Sequence, residues 1–278
     1  MTKKKVTVPE LQQMKTSGQK FKMITCYDYP MAHAVDNSPA ELILVGDSLG
    51  NVIHGLDATI PVNIEDVLYH VKLVRRGAPN TFIVGDMPFL SYQASSESAI
   101  INAGLLLKAG ADCVKMEGGT KTVIDRIAAV VDAGIPVIGH IGLTPQSVGM
   151  MGGLKVQGKS AEAARKLIDQ ALAVQEAGAF AIVIECLPAP LAKLIDEKLS
   201  IPTIGCGAGA YTTAQNLNAY DLLGIFDKFV PKFVKQYDQM RTRMIEVFDT
   251  WCYEVDNGIY PEEKHVFKMD EEVLKEIL

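Results

Sequence analysis

Long apolar runs, an excess of positive charge and paired cysteine motifs are all missing from this chain of 278 residues. Its all-apolar windows, such as residues 179–184, fall far below the roughly 20 residues that a membrane-spanning helix requires. The net charge of −6 argues against general binding to a nucleic-acid backbone, although it permits a local basic pocket. We therefore expect neither a membrane nor a nucleic acid as a partner.

The five cysteines contain no CxxC pair, so the sequence indicates neither a disulfide framework nor a zinc site. Four of them lie in or beside apolar runs, as buried thiols do. This usage is typical of a reduced, cytoplasmic protein. The lysines of MTKKK are not followed by an apolar stretch, and we expect no targeting segment.

What the chain does contain is a repeated unit: an amphipathic stretch, Ala-Gly, a short β-branched run and a polar residue. Residues 105–117, 129–140 and 174–185 are three copies. The glycine is placed to end a helix, and the continuously hydrophobic run after it is typical of a parallel strand covered on both faces. Such runs predict about eight strands, at 22–26, 42–45, 82–85, 113–116, 137–139, 181–184, 203–205 and, less clearly, 229–234.

Helical patterns lie between most of these runs, for example at 64–76, 95–109, 122–133 and 160–177. Strands that alternate with helices predict right-handed βαβ units and a parallel sheet. The count favours an α/β protein, a single (β/α)8 TIM barrel spanning 1–278, over a doubly wound open sheet. We expect residues 1–20 to form an N-terminal tail or helix, and 234–278 a C-terminal helical tail used in packing or oligomer contacts.

Charged residues follow the predicted strands at the rim where a barrel enzyme has its active site. The second and third runs, LILV and FIV, each end in Gly-Asp. Acidic side chains gathered there repel one another unless a bound cation or shared protons relieve the repulsion. The rim residues are Asp28, Asp47, Ser48, Asp86, Lys115, Glu117, His140 and Glu185.

Hard oxygen ligands without nearby Cys or His spacing favour Mg²⁺. Asp47 and Asp86 are the predicted ligands, and Glu117 would bind the ion directly or through water. Either aspartate taken alone is more often a turn or helix-cap residue, and we interpret Asp28 in YDYP in that way. The shared rim is what favours the metal site.

A Mg²⁺ ion with open positions suits a 2-oxo acid, because it can polarise the ketone and stabilise the enolate. Glu185, a lone acid at the end of AIVIE, is the predicted proton acceptor. Lys115 would offset the charge of the substrate, while Ser48 and His140 would hydrogen-bond its carboxylate or enolate oxygen. The sequence fits a structural role for His140 equally well.

The sequence leaves two interpretations open for each of two glycine-rich segments. GCGAGA (205–210) matches the dinucleotide pattern but follows a late strand, so a phosphate or substrate-edge site and simple close packing are both compatible with it. MGGLKVQGKS (151–160) has the glycines of a closing loop and the composition of an ordinary surface loop.

Several strings, taken together and in this order, resemble the ketopantoate hydroxymethyltransferase family, also called 3-methyl-2-oxobutanoate hydroxymethyltransferase. The resemblance runs from about Met23 to Phe267. The strings are TCYDYP, LVGDSLGNVIHG, TIPVNIEDVLYH, DMPFLSYQ, NAGLLLKAGADCVKMEGG, GIPVIGHIGLTPQS, GGLKVQG, IECLP and PKFVKQY.

The resemblance implies a Mg²⁺-dependent, aldol-type transfer of a one-carbon unit from 5,10-methylenetetrahydrofolate to 3-methyl-2-oxobutanoate, in pantothenate synthesis. It places metal ligands on Asp47, Asp86 and Glu117, and the proton acceptor on Glu185. It implies a cytoplasmic homo-oligomer, often a decamer of (β/α)8 barrels. Substrate contacts fall on Asp47, Ser48, Asp86 and Lys115.

One segment departs from the family pattern. Thr213 and Ala214 replace the usual Asp-Gly after GAG, and Asn216 and Asn218 stand where apolar side chains are usual. The departure leaves folate handling, local stability or subunit contacts in question. The departure leaves one alternative open, a non-catalytic paralogue that binds a 2-oxo acid or only assembles with a partner. The barrel class leaves another, a Mg²⁺-dependent lyase or mutase of another 2-oxo acid. Lyases and mutases of that kind rely on a loop cysteine, which EGGTKTVID lacks.

Overall fold

The computed structural model describes residues 3–278, and at its centre lies a closed barrel of eight parallel strands. Each strand pairs with the next along the chain, and the last pairs with the first. The predicted (β/α)8 barrel with extra helices at both ends is confirmed. The strands are β1 (Phe21–Thr25), β2 (Leu42–Val45), β3 (Phe82–Asp86), β4 (Cys113–Glu117), β5 (Val137–Gly142), β6 (Ala181–Glu185), β7 (Thr203–Cys206) and β8 (Ala214–Asn218).

Helices alternate with the strands and flank the barrel. They are α1 (Val8–Ser17), α2 (Tyr29–Asp36), α3 (Leu49–Val52), α4 (Ile64–Gly77), α5 (Ser96–Ala109), α6 (Lys121–Asp132), α7 (Val148–Met151), α8 (Ala161–Glu176), α9 (Ala189–Lys198), α10 (Ala219–Leu222), α11 (Met240–Asp256) and α12 (Glu271–Ile277). Short 3-10 helices lie at Pro145–Ser147 and Glu263–His265.

Capping residues mark where several helices begin. Asn63 and Asp66 form a reciprocal capping box at the start of α4, which satisfies backbone N–H groups that have no partner within the helix. Asp28 caps α2 by accepting a hydrogen bond from the Met31 backbone nitrogen at 2.8 Å. The interpretation of Asp28 in YDYP as a cap is therefore confirmed.

The core has two layers of apolar side chains, one on each side of the barrel wall. Phe21, Leu42 and Phe82 belong to the cluster inside the barrel. Ile43 belongs to the outer cluster, together with Val71 from a surrounding helix. Burial on both faces explains why β2 (LILV) is wholly apolar and why β6 (AIVIE) is apolar up to its last residue.

The eighth strand is not where we predicted it. It is β8, with the sequence AQNLN, whereas residues 229–234 are irregular and largely exposed. The prediction was wrong because β8 carries Asn216 and Asn218 toward the barrel interior and so contains no apolar run. The competing segment is apolar but contains Pro231, which cannot donate a hydrogen bond to a neighbouring strand.

Helix α1 covers the end of the barrel where the strands begin. Leu11 is fully buried within the interior cluster. Lys15 Nζ lies 2.8 Å from Asp196 Oδ1, and the same carboxylate accepts hydrogen bonds from Thr203 and Thr213. Thr213, which the resemblance marks as a departure, thus belongs to a polar network at the end opposite to the predicted site.

The two glycine-rich segments have different surroundings. A Cβ atom added to Gly207 would lie 2.6 Å from the Phe233 ring, which favours the close-packing interpretation of GCGAGA. In the other segment, 151–160, the Gln157 backbone nitrogen donates to the carbonyl oxygen of Cys186 at 2.9 Å. That loop is therefore attached directly after the end of β6.

The chain beyond β8 leaves the barrel wall. Helix α11 contains no buried residue, and its apolar side chains recur at helical spacing on an exposed face. Between residues 3 and 278, we find no helix with both the length and the apolar character needed to cross a membrane. The apolar face of α11 consists of Met244, Val247, Phe248, Trp251 and Val255.

Candidate active site

Four predicted site residues converge where β2, β3 and β4 end. Asp47 follows Gly46 directly after β2, Asp86 is the last residue of β3, and Lys115 and Glu117 belong to β4. The backbone nitrogen of Asp47 donates to Asp86 Oδ2 at 3.1 Å, which joins the two Gly-Asp strand endings. Each of these four residues is at most 5% exposed to solvent. We call Asp47, Asp86 and Glu117 the acidic cluster.

Lys115 places a positive charge inside the acidic cluster. Its Nζ lies 2.7 Å from Asp86 Oδ1 and 4.0 Å from Glu117 Oε2. Burial by itself lowers the pKa of Lys115, but Asp86, Glu117 and Asp47 outweigh burial and raise it. Lys115 is therefore charged at neutral pH and compensates part of the carboxylate charge.

One ammonium group does not neutralise three carboxyl groups. Burial, reinforced by repulsion from Asp86 and Glu117, raises the pKa of Asp47 to about 8. Burial also raises the pKa of Asp86, although Lys115 opposes that rise. Asp86 Oδ1 contacts Lys115 but has no aligned hydrogen bond. A bound cation would relieve this repulsion and let Asp47 ionise.

Gly46 lies where a side chain would not fit beside the acidic cluster. A Cβ atom on Gly46 would lie 2.9 Å from Ser48 Oγ and 3.6 Å from Asp86 Oδ2. In the part of the chain that the structure describes, no three His, Cys, Asp or Glu side chains already have the geometry of a metal-ligand group. Metal binding by the acidic cluster therefore requires its carboxylates to exchange some of their present partners.

His140 lies between two glutamates. Its Nδ1 is 3.4 Å from Glu117 Oε2, and its Nε2 is 3.3 Å from Glu185 Oε2 without being aligned as a hydrogen bond. Burial and Lys115 disfavour a charged imidazole, but the two glutamates raise the pKa of His140 to about 9. His140 thus links the acidic cluster to Glu185, and substrate binding by His140 stays a prediction.

Two polar residues that sequence reasoning missed hold the acidic cluster in place. Gln146 Nε2 donates to Asp47 Oδ2 at 3.0 Å, and the Gln146 backbone nitrogen donates to Glu117 Oε1 at 2.7 Å. The Tyr92 hydroxyl lies within hydrogen-bond distance of Gln146 Oε1, at 3.0 Å. Both residues lie several positions beyond a strand end, so a survey of strand ends could not find them.

Ser48, the predicted substrate contact after β2, hydrogen-bonds with another missed residue. Its Oγ lies 2.8 Å from the hydroxyl of Tyr27, which is fully buried after β1. Asn218 Nδ2 donates to the same hydroxyl at 2.6 Å. The signal for Tyr27 was its place beside Asp28 at the end of the first strand.

Comparison with known proteins identifies the family of this chain. The family profile of ketopantoate hydroxymethyltransferase matches residues 5–263. The 3-methyl-2-oxobutanoate hydroxymethyltransferase of Heliobacterium modesticaldum is 54% identical over 97% of this chain and 98% of that protein. The chain belongs to the ketopantoate hydroxymethyltransferase family. The enzyme of the same name from Clostridium botulinum (strain Alaska E43 / Type E3) is 50% identical over 98% of this chain and 99% of its own length. This member of the ketopantoate hydroxymethyltransferase family is therefore an enzyme, a hydroxymethyltransferase.

Solved structures share the fold of this ketopantoate hydroxymethyltransferase family member at low sequence identity. Phosphonopyruvate hydrolase in complex with oxalate and Mg²⁺ superposes with a TM-score of 0.62 at 13% identity, over 96% of this chain and 93% of that chain. 2,3-Dimethylmalate lyase, of the PEP mutase/isocitrate lyase superfamily, gives a TM-score of 0.60 at 13% identity, over 97% and 98%. At this identity the likeness extends to the barrel fold alone.

Proposed function

We propose that the enzyme transfers a hydroxymethyl group from 5,10-methylenetetrahydrofolate to C3 of 3-methyl-2-oxobutanoate. With water, the reaction gives 2-dehydropantoate and tetrahydrofolate, a step toward pantothenate and coenzyme A. The observation that carries the proposal is the buried acidic cluster at the barrel rim, with Lys115 inside it and Glu185 linked to it by His140. The names of relatives about half identical in sequence support the same reaction.

Mg²⁺ fits the acidic cluster. Asp47 and Asp86 would hold it directly, and Glu117, whose Oε1 accepts from Gln146 and whose Oε2 faces His140, would hold it through water. The support is the mutual repulsion of the buried carboxyl groups, which a cation would relieve, and the Asp86 Oδ1 atom that lacks an aligned hydrogen bond. When bound, Mg²⁺ supplies Lewis-acid stabilisation of the negative charge that develops on the keto oxygen as the enolate forms.

The substrate is an anion, and the residues around the acidic cluster suit it. Lys115 is charged and buried, so its ammonium group offsets the carboxylate of a 2-oxo acid. Ser48 directly follows Asp47 at the end of β2, and its hydroxyl would donate to that carboxylate. With Asp47, Asp86 and His140, they form the proposed substrate-binding set.

Glu185 is the proposed proton acceptor. Its side chain is 20% exposed, so a substrate at the rim can reach it, and its Oε2 lies beside His140. Its backbone oxygen accepts a hydrogen bond from the Leu143 nitrogen at 2.9 Å, which holds the end of β6 against β5. Removal of the C3 proton by Glu185 would leave C3 as the nucleophile that bonds to the one-carbon unit. Both bonds of that carbon to the folate nitrogens break, water supplies its hydroxyl oxygen, and tetrahydrofolate leaves.

The test is product formation by the purified protein with both substrates and Mg²⁺, combined with solvent deuterium exchange at C3 without folate. We expect 2-dehydropantoate and rapid exchange. Exchange without any hydroxymethylated product would favour the alternative, a Mg²⁺-dependent lyase or mutase of another 2-oxo acid. Binding of the oxo acid without exchange would indicate a non-catalytic paralogue, and either result would contradict the proposal.

We further propose a homo-oligomer in the cytoplasm. Support for assembly comes from the apolar face of α11, exposed along its whole length, which further copies of the chain would cover. The five free cysteines agree with a reducing compartment. Sedimentation velocity should give a species several times larger than the 30.2 kDa chain. Val247→Glu should shrink that species and Thr242→Glu, on the opposite face, should not; a monomeric wild type would contradict assembly.

A further inference from the structure

The interior face of β8 ends in an asparagine that is hydrogen-bonded to the candidate active site. Asn218 Nδ2 donates to Tyr27 Oη at 2.6 Å, and Tyr27 Oη lies 2.8 Å from Ser48 Oγ. These residues come from the ends of β8, β1 and β2, so three distant parts of the sequence meet in one chain of polar atoms. We call this chain the Asn218–Tyr27–Ser48 relay.

A second contact fixes the orientation of the Asn218 amide. Asn218 Oδ1 accepts a hydrogen bond from the Tyr220 backbone nitrogen at 3.1 Å, the cap of α10. A backbone N–H only donates, so its partner must be the amide oxygen, and the amide nitrogen must face Tyr27. At this end of the relay, Tyr27 therefore accepts.

The direction of the remaining hydrogen bond follows. Tyr27 carries one hydroxyl proton, and the amide nitrogen of Asn218 cannot accept it. Within residues 3–278, Ser48 is the other hydrogen-bond partner of the Tyr27 hydroxyl. Tyr27 therefore donates to Ser48 Oγ, which leaves the Ser48 proton free to point into the site. With an apolar side chain at position 218, Tyr27 could equally accept that proton and turn it away.

We propose that Asn218 is a positioning residue: it directs the relay so that the Ser48 hydroxyl donates to the carboxylate of the 2-oxo acid. The inference rests on the proposed function, because the contact between Ser48 and the substrate is itself proposed there. A hydrogen bond to a carboxylate is charge-assisted and stronger than one between neutral groups, so its direction affects substrate affinity. The asparagine that departs from the family pattern thereby acquires a role in substrate binding.

Two substitutions at Asn218 test the direction of the relay. Asn218→Leu removes the donor to Tyr27, whereas Asn218→Asp keeps the shape and the cap on Tyr220 but offers Tyr27 an acceptor. We expect the Kd for 3-methyl-2-oxobutanoate, measured by calorimetry with Mg²⁺ present, to rise about 3- to 10-fold in the first variant and further in the second. Asn216→Leu, the same change two positions earlier on the same face, is the matched control and should keep the wild-type Kd.

A thermodynamic cycle with Ser48→Ala separates the relay from charge and from folding. In the Ser48→Ala background, neither Asn218 substitution should weaken binding further, because the proton that they redirect is gone. A charge effect of the aspartate, or a loss of the α10 cap, would persist in that background. In steady-state kinetics KM should rise with little change in kcat, because the carboxylate contact is the same in the bound substrate and in the transition state.

The outcomes distinguish this inference from the function on which it rests. A wild type that binds the oxo acid, with Asn218 variants that bind it equally well, overturns the relay alone. Equal weakening by the Asn218 variants in the Ser48 and Ser48→Ala backgrounds also overturns it. A wild type that neither binds the oxo acid nor forms dehydropantoate contradicts the proposed function, and the relay falls with it.

Discussion

Replacing Gly142 by alanine tests whether the end of β5 sets the position of Glu185. Gly142 has a φ of +98°, where residues with a side chain are strained, and a Cβ atom there would overlap the backbone oxygen of Glu185. The two residues are paired in the barrel. The alanine can therefore be accommodated only if the end of β6 moves away from β5.

Two costs add in this variant. A side chain at positive φ costs about 1–2 kcal/mol, and overpacking against a neighbouring segment costs about 1–3 kcal/mol. We expect Gly142→Ala to lower the free energy of unfolding by about 2–5 kcal/mol. Gly134→Ala is the matched control, because Gly134 also has positive φ, +84°, but no heavy atom lies within 4 Å of an added Cβ. Its cost should be the strain alone, about 1–2 kcal/mol.

Urea unfolding and deuterium exchange at C3 of the oxo acid are the two assays. A displacement of Glu185 by about 1 Å should slow exchange roughly 100-fold in Gly142→Ala. Gly134→Ala should exchange at the wild-type rate. If the two variants unfold at the same urea concentration and both exchange normally, contact between Gly142 and Glu185 does not position the proton acceptor, and the reasoning is refuted.

Three further predictions concern single side chains. Asp86→Asn should weaken Mg²⁺ binding, measured by calorimetry. Loss of a residue that hydrogen-bonds to a metal ligand lowers metal affinity roughly 10- to 100-fold, and loss of a ligand itself should lower it more. Unchanged affinity would contradict the assignment of Asp86 as a ligand. Glu185→Gln should abolish exchange at C3 and leave Mg²⁺ affinity unchanged; exchange at the wild-type rate would exclude Glu185 as proton acceptor. Burial raises the pKa of Asp221 to about 6, above its ordinary 3.8, so the folded protein should lose stability as the pH rises from about 4 to about 6. Asp221→Asn should therefore unfold at higher urea than wild type at pH 8 but not at pH 4, and an equal gain at both would show that this ionisation is not responsible.

Much of the fold could be predicted because the strand and helix signals were local. Seven of the eight predicted runs overlap observed strands. Strands that are buried on both faces are rich in apolar residues, and this makes them recognisable in the sequence. The positions of Asp47 and Asp86 at the rim followed from the same logic, because a residue just after a parallel strand must emerge at one end of the barrel. The exception, β8, carries amides on its interior face and has no such run.

Contacts between strand ends could not be predicted, because they depend on distances that the sequence does not state. Gln146 reaches Asp47 across 99 positions, and Asn218 reaches Tyr27 across 191. Periodicity assigns a residue to a face or an end, but it does not indicate which polar side chains there share a hydrogen bond. The supporting residues of the site were therefore missed, although the charged residues were found.

The pairing of β1 with β8 has a consequence for the chain while it is being synthesised. Met23 pairs with Asn216, 193 positions later in the chain. At a synthesis rate of about 5–20 residues per second, the first strand waits roughly 10–40 s for its partner. During that interval Lys20 and the outward-facing Lys22 place positive charge along the unpaired edge, which discourages its association with other nascent strands. The finished barrel has no such edge, and there the same lysines take other partners: Lys22 Nζ lies 2.8 Å from Glu41 Oε1, and Lys20 donates to the carbonyl oxygen of Thr212.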